Sequence, residues 1–181
     1  MTGARLVAAL FALLAFGGAC GANRSAPTNA SLDVAQDWAQ AFCGGYSPLL
    51  RAKLDLEKWS NSGPAALRTT AMNVATSGTK ALTEIADEIA EIGPPNSTAE
   101  AEHERVIDAL RSAADGYAAA ERLIPGTPDD ADAFRQVLDD QAGAADAQVL
   151  KEFLQFSKSS TYGKAFDEEP LCGPLKYLAE S

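Results

Sequence analysis

The stretch Leu67 to Pro95, "LRTTAMNVATSGTKALTEIADEIAEIGPP", decides the fold. Leu67, Ala71, Val74, Gly78, Ala81, Ile85, Ile89 and Ile92 step by fours and threes, which lays them on one face of a helix. A sustained step near 3.5 residues marks a seam that packs against other helices. At 1.5 Å per residue such a helix is ~40 Å long. Gly93-Pro94-Pro95 ends it, because proline has no N–H to donate to the helical ladder.

The same period recurs on both sides. Downstream, Ser97-Thr-Ala-Glu100 fits a capping box. It opens a third helix with His103, Val106, Leu110, Ala113, Tyr117, Ala120 and Ile124 on its seam. Pro125-Gly126 close that helix. Thr127-Pro128-Asp129-Asp130 then offer a cap, a first-turn proline and acids favoured by the helix dipole. The fourth helix carries Ala131, Phe134, Leu138, Ala145, Val149, Phe153 and Phe156 to about Ser157. Upstream, a first helix is expected from an N-cap at Ser31 to Cys43, with Leu32, Ala35, Trp38, Ala39 and Phe42 inward and Gly44-Gly45 as its stop. Tyr46 to Trp59 reads as a short helix on Leu50, Leu54 and Lys58. Ser60 to Gly63 reads as a loop, and Pro64 suits a first helical position. The tail from Ser159 to Ser181 holds a turn of helix at Tyr162 to Phe166. Leu54 and Leu56 alternate, but no segment reads as a strand. The expected fold is all-α: an antiparallel bundle of about four helices with an extra short helix, in one domain over residues 31–181.

Residues 1–19 have the order of a secretory signal: Arg5, an uncharged run from Leu6, then Gly17-Gly18-Ala19. The uncharged run is shorter than the ~20 residues that span a bilayer. The junction Gly17-Gly18-Ala19-Cys20 resembles a bacterial lipobox, with Gly17 where leucine is usual. The resemblance implies cleavage before Cys20 and acylation of its thiol. The other reading is a cysteine discarded with an ordinary signal. Residues 20–30 are small and polar, broken by Pro27, and read as a tether. Their ten peptide steps reach ~35 Å at most.

With Cys20 set aside, Cys43 and Cys172 remain. In an oxidising compartment they are expected to pair, closing nearly the whole domain, a loop worth up to ~5 kcal/mol in the chain-entropy model. Two buried free thiols are the alternative. The pairing constrains the path. Either residues 46–59 cross back along the bundle before the second helix, which is the favoured path, or the tail makes the return. Trp38, Phe42 and Tyr46 flank one cysteine, and Phe153, Phe156, Tyr162 and Phe166 precede the other. They read as a packed end of the core, with a ligand pocket as the sharper alternative.

Loss of the leader leaves 14 basic against 25 acidic residues, a net charge of −11. Such a body offers no basic stripe to phosphate backbones, which argues against nucleic acid as a partner. It is also repelled by anionic lipid, so an acyl anchor accomplishes what a surface patch would not.

These features together resemble the small secreted or lipid-anchored helical proteins of actinobacteria. The likeness rests on the lipobox-like signal and tether, a first helix ending near a cysteine and a long alanine-rich helix. It also rests on "PDDADAF" (Pro128 to Phe134) and on "AFDEEPLC" (Ala165 to Cys172). The resemblance implies an extracytoplasmic location and a helical fold, and names no activity.

Glu100-Ala-Glu-His103 matches the Glu-x-x-His step of di-iron bundles, but such a site needs two copies and the chain has one histidine. A capping glutamate beside a half-buried histidine is the plainer reading; a mononuclear site on Glu100 and His103 is the weaker one. No P-loop, nucleophile elbow or zinc-protease motif occurs. The acid runs "DDADAF" and "DEEP" read as dipole complements. No cofactor is expected. The function expected is a non-catalytic binding or structural role on the outer face of the cytoplasmic membrane, held by lipid, with another envelope protein as partner. A secreted form is the alternative location, and a small-ligand or metal-binding helical protein the alternative function.

Overall fold

A computed structural model describes residues 29–58 and 63–179. The leader, Cys20 and the tether up to residue 28 lie outside the described residues, as does the loop expected at 60–63 apart from Gly63. The seam of the opening stretch forms α2 (Pro64–Ile92), and Leu67, Ala71, Val74, Gly78, Ala81, Ile85 and Ile89 are all buried on it. Pro64 takes the first turn. Gly93, at φ 76°, ends the helix and donates its N–H to the Ile89 carbonyl. Only glycine enters that left-handed region without strain.

The first helix is longer than expected. Helix α1 (Asn29–Lys58) begins before Ser31 and runs without a break through Gly44, Gly45 and Pro48. Close packing overrides the local signal. A Cβ built on Gly45 would lie 2.4 Å from Cγ1 of Ile85, so this glycine is the gap that lets α1 lie against α2. The fully buried positions continue as Tyr46, Leu49 and Leu56; of the expected Leu50, Leu54 and Lys58, Leu50 packs half-buried against the core and the other two are exposed. Leu54 is 56% exposed.

Helix α3 (Glu100–Leu123) buries the whole expected seam, and a 3-10 turn over Ile124–Gly126 follows it. Its entrance differs from expectation. The Oδ1 of Asn96, not a Ser97 box, accepts the N–H groups of Thr98 and Ala99. The fourth expected helix is α4 (Ala131–Leu138), a π turn at Asp139–Gly143, and α5 (Ala144–Ser157) in one rod. Asp130, rather than Thr127, caps it, accepting from the N–H groups of Asp132 and Ala133. The tail contains α6 (Gly163–Glu168), a 3-10 turn at Pro170–Cys172 and α7 (Gly173–Ala179). No strand occurs among the described residues, and no helix there is long and apolar enough to cross a membrane.

Contacts define the neighbours. The start of α1 lies beside the end of α2, where Trp38 Nε1–H donates to the Gly93 carbonyl at 3.1 Å. The start of α2 lies beside the end of α3, where the Arg68 guanidinium donates to the carbonyls of Ile124, Pro125 and Thr127 and pairs with Asp129. Early α3 meets late α5 through Arg105 and Glu152, and Gly116 meets the π turn. The expected path is therefore corrected. Residues 46–58 do not cross back; they continue α1, and the tail makes the return. Phe166 of α6 sets its edge against Phe42 and Phe153, and Cys172 reaches Cys43 with 2.00 Å between the sulfurs. Trp38 stacks on Phe156 and Phe42 on Phe153, all buried. Apart from Tyr46, which also borders a cleft, the aromatics around the two cysteines are packed core, each such pair adding ~0.5–1.5 kcal/mol beyond its buried area.

Candidate functional site

Where the aromatic core ends, α1 turns a mixed face inward. One turn past Phe42 comes Tyr46, and two turns after that comes Lys53. Opposite them, Asp146 of α5 takes a seam position, and it is only 7% exposed. Burying a carboxylate is costly unless it is paired and hydrogen-bonded. Asp146 is both. The Tyr46 hydroxyl donates to Oδ1 at 2.8 Å, and Lys53 Nζ donates to Oδ2 at 2.5 Å. Tyr117 of α3 lies beside the same carboxylate, whose charge acts on its hydroxyl. The Lys53 ammonium also lies 6.0 Å from the ring centroid of Tyr46 and 5.6 Å from that of Tyr117. Both distances fall within the ~6 Å range of cation–π attraction.

Two glycines hold this arrangement. The ring of Tyr117 rests on Gly78 of α2, where a Cβ would come within 2.4 Å of ring carbon Cγ. The backbone of the π turn rests on Gly116, where a Cβ would meet the Gln141 carbonyl oxygen at 2.4 Å. The π turn widens the rod one turn before Asp146; single π turns of this kind recur at functional sites.

Between these elements lies a half-open cleft of about 380 Å³. Leu50, Leu56, Val74, Leu138 and Leu150 form apolar walls, and the Asp146 cluster forms the polar end. Leu54, Glu57, Arg135 and Asp139 stand at its rim, where Arg135 pairs with Asp132 and Glu57. The volume lies in the lower part of the ~300–1,000 Å³ range of small-molecule sites, and apolar walls with a few convergent polar groups are their usual construction. Burial, reinforced by the charge of Asp146, raises the hydroxyl pKa of both Tyr46 and Tyr117 well above the ordinary tyrosine value. Both phenols are thus neutral donors at physiological pH.

The residues singled out from the sequence lie elsewhere. His103 is buried with its ring 5.2 Å from Trp38, and its Nδ1 has no hydrogen-bond partner among the described residues. Burial lowers its pKa, against the opposing charges of Glu104 and Glu100. Glu100 is exposed in the first turn of α3. Among the described residues no group of three or more His, Cys, Asp and Glu side chains is gathered for a metal ion. Asp130 and Glu169, from the two acid runs, are helix caps, and Asp129 pairs with Arg68. Cys43 and Cys172 are buried beside the aromatic core.

Sequence reasoning missed Lys53 and Asp146 and counted Tyr117 as seam alone. A signal was available. The inward series 35, 38, 42, 46, 49, 53 and 56 keeps helical spacing straight through Gly44-Gly45 and puts a lysine on a buried face. Comparison with protein-family models, curated proteins and solved structures finds no match for this chain.

Proposed function

We propose that this chain is an extracytoplasmic, lipid-anchored binding protein that takes a small, largely apolar ligand with one polar end. Acylated Cys20 tethers it to the outer face of the cytoplasmic membrane, and the helices form an antiparallel bundle clasped by Cys43 and Cys172. No catalytic step is assigned to it. The observation that carries the reading is the cleft of about 380 Å³ in which Tyr46, Lys53, Tyr117 and Asp146 converge at one end of apolar walls. That observation moves the ligand reading ahead of a purely structural role in the envelope. A solid core would have favoured the structural one.

The test begins with full-length protein purified from its native membranes. Native mass spectrometry is expected to show a retained small molecule, and denaturing intact mass an acyl adduct on Cys20. A Leu50→Trp variant, which fills the cleft from its half-buried wall, is expected to carry no small molecule and to unfold at a similar temperature. Equal ligand retention by wild type and this variant overturns the cleft as the binding site. A mass matching the unmodified mature chain overturns the anchor.

A further inference from the structure

Lys53 sits in its surroundings as a ligand would. Its ammonium is held by a buried carboxylate and faces two tyrosine rings. Carboxylate plus aromatic faces is the chemistry by which proteins recognise organic ammonium ions. Yet Lys53 is not locked in. Its side chain is 33% exposed, and it reaches the site from the rim on a flexible four-carbon stem.

The charge balance of the lining points the same way. Lys53 and Arg135 face three carboxylates, Glu57, Asp139 and Asp146. Arg135 is already engaged at the rim by Asp132 and Glu57. An anionic head group entering the polar end would meet a surplus of negative charge; a cation would meet its complement. The whole chain, at formal net charge −10, draws cations towards the surface as well. Along the walls, Leu50, Leu56, Val74, Leu138 and Leu150 offer no hydrogen bond and reward only an apolar body.

We propose that the cleft binds a small organic cation, an ammonium head on an apolar tail, and that the Lys53 ammonium occupies the head-group position until the ligand displaces it. The inference rests on the cleft being a ligand site and adds the charge of what enters. Displacement preserves the electrostatic balance: one ammonium leaves Asp146 for solvent and another takes its place. Tyr46 keeps its hydrogen bond to Asp146 throughout. The lysine is then a tethered competitor, whose effective concentration on a short flexible stem is in the millimolar range. It sets a threshold that weakly apolar amines do not pass.

The test compares three probes with one tail and different heads: hexylamine, hexan-1-ol and hexanoic acid, titrated calorimetrically at pH 7 into the full chain. Wild type is expected to bind hexylamine at least tenfold more tightly than hexanoate. In Lys53→Ala the competitor is gone, and hexylamine is expected to bind at least tenfold more tightly than in wild type and to raise the melting temperature. Asp146→Asn is expected to lose hexylamine binding by at least tenfold. Should Lys53→Ala not fold, the head-group preference of wild type decides the sign alone. Binding of hexanol or hexanoate as tight as that of hexylamine overturns the cation inference and leaves the cleft standing as a ligand site. No binding of any probe by wild type or Lys53→Ala overturns the cleft reading itself.

Discussion

Replacing Gly78 with alanine adds a single methyl group where Tyr117 leaves no room. The new Cβ would lie 2.4, 2.6 and 2.7 Å from Cγ, Cδ2 and Cδ1 of the ring. All three distances are far inside van der Waals contact. The ring cannot swing away cheaply, because it is buried and its face meets Lys53. Overpacking a tight core costs ~1–3 kcal/mol, and three such contacts with a stiff ring place this site near ~3. Alanine is better than glycine inside a helix by ~1 kcal/mol, which offsets part of the loss. The expected net destabilisation is ~2 kcal/mol, or ~6 °C in melting temperature for a domain of this size. Urea unfolding followed by far-ultraviolet circular dichroism measures it. Gly173→Ala, at a position with open space around the built Cβ, serves as the control and is expected to stay within ~0.5 kcal/mol of wild type. If Gly78→Ala instead matches or exceeds wild type, the ring moves freely and the account of how Tyr117 is held fails.

Cys43→Ser combined with Cys172→Ser opens a loop of 129 residues, and the chain-entropy model expects a loss approaching ~5 kcal/mol, read from urea midpoints. Asp130→Ala removes the side chain that accepts from the N–H groups of Asp132 and Ala133; it is expected to cost ~1 kcal/mol in the same assay. Stability should also depend on His103, whose pKa burial holds below its unfolded value near ~6.5. The unfolded chain therefore takes up this proton first, so stability is full above pH ~6.5 and falls as the pH drops below it. His103→Phe is expected to flatten the change in urea midpoint between pH 7.5 and 5.5. An unchanged slope would remove His103 from the account.

The seams of α2 and α3 were legible because each repeats one spacing over many turns, from Leu67 to Ile89 and from His103 to Ile124. Packing and local pattern agree there. The break at Gly44-Gly45 was misread because glycine weakens a helix locally, while the reason for Gly45 lies forty residues away at Ile85. The error moved the inward register onto Leu54 and Lys58 and hid Lys53. The cleft was illegible for a related reason. Lys53, Tyr117 and Asp146 come from three helices, and no local motif joins them; only their juxtaposition across the cleft makes a site. The Glu100-x-x-His103 spacing was genuine, yet α3 turns the histidine towards Trp38 and leaves the glutamate exposed.

The return of the tail to α1 also orders the chain in time. Ribosomes add ~5–20 residues per second, so across 129 residues Cys172 emerges roughly 6–26 s after Cys43. Throughout that delay the earlier thiol waits without its mate. No other cysteine lies between them, so a nascent chain whose Cys20 is acylated has one internal pairing open to it and no scrambled isomer to undo. The vulnerability is to its neighbours: two copies caught in the same delay can bridge through Cys43, and covalent dimers would be the mark of an oxidant arriving too soon.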